Sequence, residues 1–97
     1  MKKNKLIELY NILEEIGKVL FLPNNNIKFY CDLDIDLSRI QLFIENPKNN
    51  GAYVRYYINK DDLNNCINTD DIKMFAYESV LTCVLVVNRE VVTNETG

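Results

Sequence analysis

The chain has 97 residues with 14 acidic and 11 basic side chains, a formal net charge of −3 and a pI near 4.8. That length suits one domain, residues 1–97, and leaves no room for two. A composition of 47% apolar and 26% charged residues is that of a globular chain. The acid excess argues against direct nucleic-acid binding, which needs clustered Lys and Arg to meet phosphates.

Helical spacing opens the chain. Leu6, Leu9, Leu13, Ile16 and Leu20 share one face from Lys5 to Phe21, with Glu8, Glu14, Glu15 and Lys18 opposite. Asn4 is placed to cap this helix, and Pro23 with the asparagines after it ends it. The same acids interrupt any secretion signal. The longest apolar run, 80–87, is far short of the ~20 residues a membrane span needs. A cytoplasmic location with no membrane association is therefore expected.

At Ile27 the period changes to two. Ile27, Phe29, Cys31, Leu33, Ile35 and Leu37 alternate with Lys28, Tyr30, Asp32, Asp34 and Asp36, which predicts a half-buried strand over 27–37. A turn near 36–39 leads to a second strand, in which Ile40, Leu42 and Ile44 alternate with Gln41, Phe43 and Glu45. Asn46-Pro47-Lys48-Asn49-Asn50-Gly51 has the chemistry of a hairpin turn, because Asn and Gly accept positive φ. Residues 52–58 (AYVRYYI) form the return strand.

Residues 61–67 read as a short helix. A longer one starts at Asn68 or Thr69, with Asp70 and Asp71 at the positive end of its dipole. The run 80–87 (VLTCVLVV) is apolar nearly all round and suits a buried strand as well as a helix. Periodicity does not decide between them; the absence of Gly or Pro before the run favours helix. The expected fold is α+β: a three-stranded antiparallel sheet with helices packed on one face, in the order α-β-β-β-α-α.

The chemistry-bearing residues are few. No histidine is present, which removes the usual general base and every Ser-His or Cys-His nucleophile. The glycines are Gly17, Gly51 and Gly97, so no phosphate-cradling loop can be built. Asp32-Leu33-Asp34-Ile35-Asp36 opens like a calcium loop, but Leu37 stands where Gly is required and Phe43 where Glu is required. Cys31, Cys66 and Cys83 are widely spaced among apolar neighbours and read as reduced, buried thiols with no metal. No catalytic residue and no cofactor is expected.

What remains is the polar side of the sheet. Strand parity points Tyr30, Phe43, Tyr53 and Tyr57 outward beside Asp32, Asp34, Asp36 and Glu45. Exposed aromatics ringed by charge suit contact with a protein partner. The candidate partner-binding residues are Tyr30, Asp32, Asp34, Asp36, Phe43 and Glu45. The competing reading is that residues 79–92 cover this face, or that the tyrosines are ordinary amphipathic surface. A rival arrangement is a homodimer paired through 80–92.

The order of elements, the small acidic chain and the Asn-, Lys- and Ile-rich usage of an AT-rich genome resemble those of phage-encoded anti-CRISPR proteins. The resemblance lies in Ser38–Glu45 (SRIQLFIE), the turn 46–51, the strand 52–58 and the acid-started helices at Asp61 and Asp70. It implies an inhibitor, phage or mobile-element encoded, that occupies a surface of a larger host protein such as a CRISPR nuclease. Some members present acidic surfaces to the DNA channel of such an enzyme. The apolar run 80–87 departs from an acidic display, and no functional residue carries over.

Overall fold

The computed structural model describes residues 4–20 and 26–89. Helix α1 spans Lys5–Leu20. It starts where expected, because Asn4 Oδ1 accepts from the backbone N–H groups of Leu6 at 3.0 Å and Ile7 at 3.3 Å. Leu6, Leu9, Leu13 and Ile16 are its buried stripe. Phe21, the last residue assigned to it from spacing, lies outside the described residues, as do Pro23, Asn24 and Asn25.

Three strands follow: β1 at Lys28–Asp34, β2 at Arg39–Asn46 and β3 at Ala52–Asn59. They form one antiparallel sheet in the order β1-β2-β3. The turn between β2 and β3 closes through Asn49 N–H to Asn46 O and Ala52 N–H to Asn49 O, both 3.0 Å. Asn50 and Gly51 take φ of 58° and 71° there, which is the positive-φ chemistry expected of this turn.

Strand β1 is shorter than its alternation predicted. It ends at Asp34, and residues 35–38 form the turn. Asp34 Oδ1 accepts from Leu37 N–H at 3.1 Å, and Ser38 reverses the chain at φ 51°. Ile35 and Leu37 therefore point to solvent, 75% and 58% exposed, not into the core. The helix expected over 61–67 is a single 3₁₀ turn at Lys60–Leu63, begun by Asp62 Oδ2 accepting from Asn59 N–H at 2.8 Å. Its Leu63 is buried.

Helix α2 spans Thr69–Asn88, so 80–87 is helical. Asn68 caps it: its Oδ1 accepts from Asp71 N–H at 2.9 Å, while Asp71 Oδ2 receives Asn68 N–H at 3.4 Å. The far end is capped by the β2–β3 turn. Asn49 Nδ2 donates to the carbonyls of Val87 at 2.9 Å and Arg89 at 3.0 Å, groups a helix terminus would otherwise leave unpaired.

Both helices lie on the same face of the sheet, α1 against β1, α2 against β3 and β2, and each against the other. The core between the layers holds Leu9, Leu13, Ile40, Leu42, Ile44, Ile58 and Val87, all fully enclosed. Thr69 Oγ1 donates to Glu8 Oε2 at 2.8 Å and pins one helix to the other.

Gly17 lets α1 approach β1. A Cβ there would fall 2.5 Å from two ring carbons of Phe29, so even alanine forces the ring or the helix to move. Gly17→Ala gains helix propensity but overpacks the layer, and a net loss of about 1–2 kcal/mol is expected. Thermal melting should show it as a fall of roughly 5–10 °C; an unchanged or raised Tm would mean that this contact is loose.

Candidate protein-binding face

Strand pairing sets the outer face as a grid of four rows. Lys28, Glu45 and Tyr53 share the first, and Tyr30, Phe43 and Arg55 the second. Asp32, Gln41 and Tyr57 form the third, and Asp34, Arg39 and Asn59 the fourth. Parity alone directs these side chains away from the helices, since their neighbours Cys31, Ile40, Leu42, Ile44 and Ile58 are buried. Tyr30 and Tyr53 are 58% and 61% exposed. No described residue of 79–89 covers this face, because α2 packs on the other side; residues 90–92 lie outside the described residues.

The rings are held by cations. Arg39 places its guanidinium carbon 4.6 Å from the Tyr57 ring centre. Arg55 sits over both Phe43, at 5.6 Å, and Tyr53, at 5.9 Å. Phe43 and Tyr53 are themselves 5.6 Å apart and tilted by 32°. Such stacks order the aromatic surface before any partner arrives, which lowers the entropy lost on binding. Lys28, Tyr30, Gln41, Phe43 and Arg55 border a shallow depression at its centre.

Of the six residues picked from sequence, five share the face: Tyr30, Asp32, Asp34, Phe43 and Glu45. Asp36 does not. It lies in the β1–β2 turn, exposed beyond the end of the strand, so the three aspartates do not form one line. Asp34 is half-buried and committed to that turn.

The cations Lys28, Arg39 and Arg55 were not among those six, although their parity with Tyr30, Phe43 and Tyr53 places them on the same side. Lys28 stands opposite Glu45, and Arg39 opposite Asp34. Three acids and three bases thus balance across the rows. The face is mixed in sign, not an acidic display.

The thiols lie elsewhere. Burial, aided by the carboxylates of Glu14 and Asp32, pushes Cys31 up to about 12. Burial alone raises Cys83 to about 11. Cys66 is shifted upward too, by burial and then by Asp71. At neutral pH such sulfurs stay protonated and are poor nucleophiles. Among the described residues no group of three His, Cys, Asp or Glu could hold a metal ion, and no helix is long and apolar enough to cross a membrane.

Comparisons of the chain with protein-family models, with curated proteins and with solved structures find no match.

Proposed function

We propose that this chain is a non-enzymatic binding module that docks a partner protein on the outer face of its sheet. It acts as a small inhibitor occupies a surface of a larger protein, and a nuclease of the CRISPR type is the partner class to which the sequence resemblance points. One observation carries the reading. Both helices sit on one side of the sheet, and the other side is left with Tyr30, Phe43, Tyr53 and Tyr57 on three hydrogen-bonded strands. Tyrosine and arginine are the residues that dominate binding energy when enclosed by a partner. The balanced charges favour a surface of mixed sign over the uniformly basic channel that a phosphate mimic would require.

The test is capture from extracts of the host cell, with the wild-type chain and a Tyr30→Ser/Tyr53→Ser variant as paired baits. Both substitutions are at exposed positions, so melting should change little. The expected result is a protein retained by the wild type and bound at least about a hundredfold more weakly by the variant. Equal binding by the two baits would remove the face from the interface, and a nucleic acid retained in place of a protein would overturn the partner class.

A further inference from the structure

Helix α2 carries a second surface that the sheet face does not use. Met74, Tyr77, Leu81 and Leu85 are 62%, 56%, 58% and 60% exposed. Their spacings of three, four and four residues place them on one line along the helix. That line lies opposite the buried Ile72, Ala76, Cys83 and Val87. On α1 the corresponding outward positions are Ile7, Asn11, Glu15 and Lys18, all exposed and, after Ile7, all polar. The two helices share one layer, yet only one of them turns an apolar stripe to solvent.

We infer that this stripe is the interface of a homodimer, in which α2 packs antiparallel against α2 of a second copy about a two-fold axis level with residues 79 and 80. A two-fold axis requires a surface that matches itself, and the stripe does. Reversing the helix about that level sets Met74 opposite Leu85 and brings Tyr77 and Leu81 of both copies together at the centre. The same reversal places Asp70, exposed in the first turn, level with Arg89, exposed just past the last. The charges thus match at both ends while the apolar residues meet between them, and the opposed helix dipoles add to the preference.

The area fits a second copy of modest affinity. Four large side chains a little over half exposed offer on the order of 400 Å² per copy. The flanking Asp70, Lys73, Glu78 and Thr82 bring this to the low end of a specific interface, about 600 Å² per partner. A dimer with a dissociation constant in the micromolar range is the expected size of effect. The stripe faces away from the sheet, so pairing leaves both sheet faces outward and makes the assembly bivalent for whatever binds them.

Sedimentation of the whole chain across about 1–200 μM decides the matter. The wild type should pass from monomer to dimer, and Leu81→Glu, which sets two carboxylates together at the axis, should stay monomeric with its helical signal and Tm preserved. Direction is tested separately. Asp70→Arg and Arg89→Asp should each weaken the dimer by about two- to fivefold, and the two together should restore it. A wild type monomeric throughout, or a Leu81→Glu chain that still dimerises, overturns the proposal. Failure of the double reversal to restore pairing overturns the antiparallel arrangement. None of these readings involves the sheet-face partner, so either proposal can fail alone.

Discussion

Leu42→Ala is expected to lower stability by about 3–4 kcal/mol, while Leu37→Ala, five positions away and of the same strand parity in the hairpin, should change it by less than about 0.5 kcal/mol. Leu42 is fully enclosed in the central strand, paired between Cys31 on β1 and Tyr56 on β3 and facing the helices. Removing three carbons there leaves a cavity between two layers that cannot both collapse into it. Leu37 sits in the turn after β1 and is more than half exposed. Urea titrations give the comparison directly, as a large fall in midpoint at constant slope for Leu42→Ala and none for Leu37→Ala. A loss above about 1.5 kcal/mol for Leu37→Ala would mean that β1 and its burial continue past Asp34.

Alkaline pH should destabilise the fold through its buried thiols. The Cys31 and Cys83 thiols have an ordinary value of 9.0 and are pushed up to about 12 and about 11 in the folded chain. Below pH 9 both states hold these protons, and the stability that goes with the buried neutral thiols is fully present. Between pH 9 and 11 the unfolded chain releases the protons while the folded chain keeps them, so each pH unit favours unfolding by about 1.4 kcal/mol per thiol. From pH 9.5 to 10.5 the two together should remove on the order of 2–3 kcal/mol. The control is a Cys31→Ala/Cys83→Ala chain, less stable at pH 8 for want of packing but with a flatter pH dependence above 9. Parallel slopes for the two chains would show that the thiols do not carry the effect.

Much of this fold is local and was readable from the chain. Asn4 and Asn68 cap their helices because a short side-chain oxygen next to free N–H groups needs no distant partner. The β2–β3 turn follows from Asn50 and Gly51, which accept positive φ. The alternation of Phe29, Cys31 and Leu33 with Tyr30 and Asp32 reports a pleat with one buried side, and the burial of Cys31 against the exposure of Tyr30 agrees with it. Those signals lie within a few residues of one another, and so the α+β class and the three-stranded sheet were within reach.

What the chain alone left undecided depends on partners far apart in sequence. The helix at 80–87, correctly favoured by the absence of Gly or Pro before the run, had no support from periodicity because α2 has apolar residues on two opposite sides: Ile72, Ala76 and Cys83 toward the sheet, Leu81 and Leu85 away from it. Two apolar sides cancel the periodic contrast that identifies a helix. The end of β1 was missed because parity continues through Ile35 and Leu37, whereas a strand stops where its hydrogen-bonding partner does, at the pairing of Asp34 with Arg39. The balance of charge on the outer face has the same origin. Asp32, Asp34 and Asp36 are neighbours along the chain, but Lys28, Arg39 and Arg55 enter their surroundings only when the strands come into register, and register belongs to the tertiary structure.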